Sequence, residues 1–358
     1  MANERQNCQY ITIARGLLIL VIAVAHGAIP QIRRSSGSAG IFWYLAYSVG
    51  LPVFIAFSGF LFEQGLESYR RQGYARFLWR KFTSLMLPYF SISFLTYFAI
   101  ALLYRLSPFD ELMTRYGFVP QSPATVIHAI LTLEDTLTRH LWFCYTLFLI
   151  FTVSYPLASF FRTLAGLLPA FLLFLVAIAY PESLPKLAER VCHYLVFFHL
   201  GRRLRDADAL FAPRLIPIHA AATAAIFTAM ELLGTQRFGI FAGLFNFGLS
   251  FFGTVCFIGI SRLLIGRPPE RHLAFLGEYS YDIYLIHQPF LTAGAAGALF
   301  ALAPCAPAWP IMLAAAGVGV IVSLLIGRFV LRPVPVLRTV FLGMGGAWRY
   351  KKRDSAKP

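Results

Sequence analysis

The stretch IARGLLILVIAVAHGAIP (residues 13–30) sets an arginine and a histidine at either end of ten mostly aliphatic residues. Arg15 and His26 are its only strongly polar side chains. Eleven residues make about three helical turns, roughly 16 Å of rise, so the two side chains leave nearly the same helix face at different depths. A segment that only anchors a chain in lipid gains nothing from either group. Two readings stay open from this stretch alone. Arg15 can snorkel at one interface with His26 lying at the other, or both can face a polar site inside a bundle.

The composition decides the class of protein. Of 358 residues, 58% are hydrophobic and only 13% charged, with 35 phenylalanines. Charged residues are about half the usual globular share, which places the chain among membrane proteins. The first apolar run leads into Pro30 and a basic pair, with many more apolar runs behind it, so it reads as a span and not as a cleavable signal. A net charge of +15 would suit nucleic acid, but the basic residues sit between apolar segments, where membrane topology accounts for them. The five cysteines (Cys8, Cys144, Cys192, Cys256 and Cys305) show neither CxxC nor metal-ligand spacing, and they read as small buried hydrophobes.

Apolar runs of roughly 20 residues suffice to cross the hydrocarbon. The runs predict an all-α, polytopic protein with about ten transmembrane helices, near 11–30, 41–62, 83–104, 141–161, 163–180, 187–201, 215–233, 240–261, 279–300 and 308–331. The sixth is the shortest, and the fifth and sixth together also fit a hairpin that does not fully span. If the connections are numbered in order, the N-terminus through Arg15, the even connections and the tail after Leu331 hold 22 of the 31 Lys and Arg residues. By the positive-inside rule both termini are then expected to be cytoplasmic. The expected organisation is a ten-helix membrane domain over 1–335 and a basic cytoplasmic tail over 336–358. The oligomeric state is left open.

Ionisable groups inside a membrane are costly, so each is a candidate for function. With this topology His26 and His140 lie toward the external side. In GEYSYDIYLIHQPF (277–290), Asp282 lies shallow on the cytoplasmic side and His287 about a third of the way across. A histidine can act as general base toward a hydroxyl, and Asp282, Glu134 and Asp135 are the carboxylates available to orient one. Arg76 and Arg80, one turn apart before the third span, share a face and could grip a diphosphate, although arginines at a cytoplasmic boundary also need no ligand. There is no GxSxG, HExxH or Walker motif and no acidic cluster for a metal, so none is expected.

Taken in order, several stretches resemble the membrane acyltransferases of family 3, which O-acylate sugars and other cell-envelope molecules. They are Arg15 and His26 with their ten-residue gap, FIAFSGFLF (54–62), RFLWRKFTSLMLPY (76–89), HLWFCYTLF (140–148) and YSYDIYLIHQP (279–289). The resemblance implies transfer of an acyl group, commonly acetyl from acetyl-CoA, to a carbohydrate hydroxyl. It implies His26 as base and Arg15, Arg76 and Arg80 as donor contacts. His140 and His287 match motif positions with supporting parts, His140 toward the acceptor and His287 through structure or hydrogen bonding. The HLWF form resembles members that act on exopolysaccharides or lipid-linked sugars, and the chain is expected to be the membrane-only type, in a bacterial inner membrane among lipids. From another class, a transporter or flippase of lipid-linked sugars also suits intramembrane histidines, but no two halves with matching broken spans are visible.

Overall fold

In a computed structural model, the residues described are 2–106 (side chains from Gln9 onward), 110–111, 114, 119–134, 137–204, 206–234 and 239–344. Every regular element among them is helical: α1 (Ala2–Gly27), α2 (Pro30–Ser35), α3 (Gly37–Gln72), α4 (Tyr74–Lys81), α5 (Leu87–Tyr104), α6 (Pro123–Thr132), α7 (Trp142–Ser154), α8 (Leu164–Ala179), α9 (Lys186–Gly201), α10 (Ile216–Leu233), α11 (Ile240–Leu263), α12 (Glu270–Glu278), α13 (Ser280–Ile286), α14 (Ala295–Leu302), α15 (Ala308–Leu325) and α16 (Pro335–Leu342). Three π-helical segments, Phe82–Met86, Phe290–Gly294 and Ile326–Leu331, join or extend neighbouring helices. Of the expected tail, residues up to Leu342 form α16, and 345–358 lie outside the described residues.

The expected count of about ten spans is corrected here. Among the described residues six helices are long and apolar enough to cross a membrane, and seven if the bent pair Ser280–Ile286 and Phe290–Leu302 counts as one. The apolar runs at 141–161, 163–180 and 187–201 yield helices of only 13, 16 and 16 residues. At 1.5 Å per residue these fall short of the ~30 Å hydrocarbon layer. Local chemistry cuts them. Pro156 cannot continue α7, and Thr163 accepts a hydrogen bond from the Gly166 amide to cap α8. The run at 279–300 is interrupted at His287–Pro289, and its two helices meet at 62°. Conversely, α3 has 36 residues, far more than the expected 41–62, and on length alone must project beyond the hydrocarbon.

Apolar burial gives little drive for helix association in lipid, so close packing and polar contacts must hold the helices together. Two glycine crossings supply that packing. A Cβ on Gly16 of α1 would lie 1.9 Å from the Leu273 carbonyl oxygen, and one on Gly277 of α12 would lie 1.9 Å from that of Thr12. The α3–α9 crossing repeats the arrangement, with a Cβ on Gly59 falling 1.9 Å from Phe198 O and one on Gly201 falling 2.0 Å from Ala56 O. Beside it Arg202 donates to Glu63 at 2.7 Å and to the Ala158 carbonyl at 2.9 Å. The first crossing sets the level of α1 against α12. Outward faces are apolar: Phe94, Leu95, Phe98 and Leu102 of α5 are all exposed, as a lipid-facing stripe should be.

Candidate active site

His26 occupies the last turn of α1, His140 a 3-10 turn directly before α7, and His287 the residue after α13. Three separated pieces of sequence thus meet. The His26 and His287 ring centres are 4.9 Å apart and nearly perpendicular, and His140 and His287 are 5.9 Å apart. His287 is therefore level with His26.

Backbone carbonyls fix the tautomers, because a carbonyl oxygen only accepts. His287 Nδ1 donates to the carbonyls of Ile283 (2.8 Å) and Tyr284 (3.0 Å), which leaves its Nε2 as an acceptor. That Nε2 lies 3.4 Å from His26 Nδ1, which itself donates to Ile22 O at 2.9 Å. His26 Nδ1–H is thus shared between a carbonyl and the His287 lone pair. In the neutral ring the unprotonated nitrogen of His26 is then Nε2. His140 sits with Nε2 3.5 Å from Leu285 O, and Tyr284 donates its hydroxyl to the His140 carbonyl at 2.8 Å. Tyr284 is committed to backbone.

The carboxylates expected to orient a histidine are elsewhere. Asp282 is fully buried and accepts from Arg332 at 2.7 and 3.1 Å, and Arg332 also donates to Glu278 O. Glu134 is exposed, and Asp135 lies outside the described residues. Nearby hydroxyl and thiol groups are engaged: Ser58 donates to Phe54 O at 3.0 Å, and the buried Cys144 thiol lies 3.6 Å from the Tyr281 hydroxyl. Among the described residues no group of His, Cys, Asp or Glu could hold a metal ion.

Two chambers meet at the histidines. The first, about 220 Å³, runs from Arg15 and Ser280 past Phe54, Phe57 and Phe143 to His26 and His140. Arg15 Nε donates to Ser280 Oγ at 3.1 Å, and Ser280 in turn donates to Gly277 O. The glycine crossing of α1 and α12 thereby places the cation at the chamber's far end. The second chamber, about 770 Å³, lies on the other side of His26 and is far more polar in character, with Arg33, Arg139, Arg190 and Asn246 in its wall. Both share His26, Tyr47, Leu51, His140 and Trp142. Tyr47 was not singled out from the sequence, where it is one aromatic among many. Its ring lies 5.5 Å from that of His26.

Arg76 and Arg80 are exposed on α4 and line neither chamber, and Arg80 donates to Gln72 at 2.6 Å. It is the next residue, Lys81, that turns inward, its ammonium 4.0 Å from the Phe151 ring centre. The fold thus sets Arg15, His26 and His140 in the walls of the two chambers, with His287 packed against both imidazoles but lining neither chamber, and leaves Arg76 and Arg80 on the surface.

A half-buried imidazole with a free lone pair, reachable from an apolar channel and from a polar vestibule, can take a proton from a group on one side while chemistry occurs at a group on the other. No curated protein and no solved structure matches the chain, whereas a family model described as an acyltransferase domain matches residues 9–328. The chain belongs to acyltransferase family 3, as a multi-pass, all-helical membrane member.

Proposed function

We propose that this protein transfers a short acyl group, acetyl foremost, from acyl-CoA to a hydroxyl of a bacterial exopolysaccharide or lipid-linked sugar at the inner membrane. The observation that carries the reading is the position of His26, whose ring forms part of both chambers. The donor, a substrate, enters past Arg15. Its pantetheine arm suits a narrow apolar channel, and its charged nucleotide end stays toward Arg15, with Arg76 and Arg80 near the outer surface. The roughly 16 Å of helix between Arg15 and His26 is too long for one small substrate to touch both, but not for a molecule of this reach. The acceptor occupies the vestibule.

His26 Nε2 removes the hydroxyl proton as that oxygen attacks the thioester carbonyl carbon. The tetrahedral oxyanion collapses, the C–S bond breaks, and the thiolate takes the proton back from the His26 imidazolium. His287 acts as a positioning residue: its Nε2 lone pair faces His26 Nδ1–H and so favours both the working tautomer and the transient imidazolium. A carboxylate does this more strongly in the Ser-His-Asp arrangement. His140, between the chambers, helps hold the acceptor.

The test is purified protein in lipid nanodiscs with acetyl-labelled acetyl-CoA and glycan acceptors, reading labelled ester by mass and free CoA thiol together. Release of CoA that depends on an acceptor, and its loss in a folded His26→Ala variant, is the expected outcome. Full transfer by that variant overturns the base assignment. Acceptor movement across the membrane without ester formation would favour a transporter.

A further inference from the structure

The vestibule carries more basic character than a neutral sugar requires. Arg33, Arg139 and Arg190 all line it, and none of its lining residues is an aspartate or glutamate. Among the described residues the ion pairs involve other cations, and none is formed by these three. Glu189, beside Arg190 in sequence, is not part of the wall. Two of the guanidiniums are laid on tryptophan faces, Arg33 at 4.0 Å from the Trp43 ring centre and Arg190 at 4.7 Å from that of Trp142. A guanidinium stacked on a ring keeps its N–H edge directed outward for a planar anion. Gln288 adds a buried amide nitrogen with no hydrogen-bond partner in the same wall. Buried donors are normally satisfied, so an unsatisfied one marks a place for an acceptor atom.

Resting on the acyl-transfer reading above, we propose that the acceptor is an acidic carbohydrate, bearing a carboxylate or phosphate that Arg33, Arg139 and Arg190 hold while a neighbouring hydroxyl reaches His26. A uronic-acid unit and a sugar joined to a polyprenyl diphosphate are the two sources of that charge. Trp142, common to both chambers, stands in the wall between the anion and the base, its ring held between Arg190 and Tyr194.

The experiment uses the full-length protein in nanodiscs with acetyl-CoA and two matched acceptor pairs. One pair is a glucuronate-containing tetrasaccharide and the same tetrasaccharide with its carboxyl reduced to an alcohol. The other is polyprenyl diphosphate glucose and the uncharged glucoside of the same polyprenol. In at least one pair the anionic member is expected to show kcat/KM at least tenfold above its neutral partner, and the pair that shows it identifies the source. Arg139→Gln, Arg190→Gln and Arg33→Gln should each shrink that ratio about tenfold, the scale of one charge-assisted hydrogen bond, with Arg190→Lys restoring part of it. Because the readout is a ratio, a variant that merely folds poorly lowers both rates and leaves it unchanged. Equal kcat/KM within both pairs overturns the proposal while leaving acyl transfer standing. Absence of ester with all four acceptors overturns the functional reading and this inference with it. A rise in KM for acetyl-CoA with the acceptor ratio unmoved would assign the arginines to the donor, and the proposal fails.

Discussion

His287 presents an unprotonated Nε2 to His26 Nδ1 at 3.4 Å, with its own Nδ1 tied to two carbonyls of the preceding turn. The proposed base is thereby oriented by a second, fully buried imidazole in place of a carboxylate.

Substitutions at these two positions should separate base from support. His26→Ala is expected to lower kcat by about 10²–10⁴-fold, the range for losing a general base. His287→Ala should lower kcat less, leave KM for acyl-CoA within a few fold, and be partly rescued by His287→Gln, whose amide oxygen can still accept from His26. Steady-state kinetics on protein that elutes as a single species checks this. Equal losses in His287→Ala and His287→Gln would count against a hydrogen-bonding role.

Only one of the three proposed donor arginines lines the channel. Arg15→Ala should therefore raise KM for acyl-CoA by at least tenfold. Arg76→Ala and Arg80→Ala, on the exposed face of α4, should raise it less and in a manner erased by about 0.5 M salt, since exposed charges are screened. Donor titrations at two ionic strengths distinguish the two kinds of contact.

The Asp282–Arg332 pair belongs to stability. Asp282 is wholly buried and Arg332 about a fifth exposed. Removing one partner of such a pair strands the other, at a cost of about 3 kcal/mol. Asp282→Ala and Arg332→Ala should each lower Tm, and the double variant should lower it by less than the two added together. An additive double variant would show that the bridge contributes nothing.

The glycines give a paired test of packing. Gly16→Ala drives a methyl into the Leu273 carbonyl, and overpacking of this kind costs about 1–3 kcal/mol or more. It should also dislocate Arg15 from Ser280. Gly317 of α15 has nothing within 4 Å of a built Cβ, so Gly317→Ala should be neutral or stabilise by up to about 1 kcal/mol through helix propensity. Thermal unfolding followed by a thiol-reactive dye reads both.

The membrane class, the helical nature and the pairing of Arg15 with His26 could be read from residue spacing, because helical periodicity fixes which side chains share a face. His140 and His287 could be nominated as polar groups in apolar runs. Their meeting was a tertiary event no spacing contains. Apolar composition between 141 and 201 overstated the spans, since where a helix stops is decided by Thr163 as a cap and by Pro156, against a uniformly apolar background. The partner of Asp282 also escaped: Arg332 is 50 residues away and lies past the last apolar run. Tyr47 and the three vestibule arginines carried no local signal, because an aromatic in a span and an arginine in a loop are both common.

The wall of five residues between the chambers has a kinetic consequence. Under the acyl-transfer proposal each substrate has its own way in, so neither must bind first, and each product can retreat by the route its parent used. CoA should then compete with acyl-CoA but not with the sugar, and the acylated sugar should compete with its precursor but not with the donor. Turnover would proceed through a ternary complex with no obligatory queue and no covalent pause on the protein.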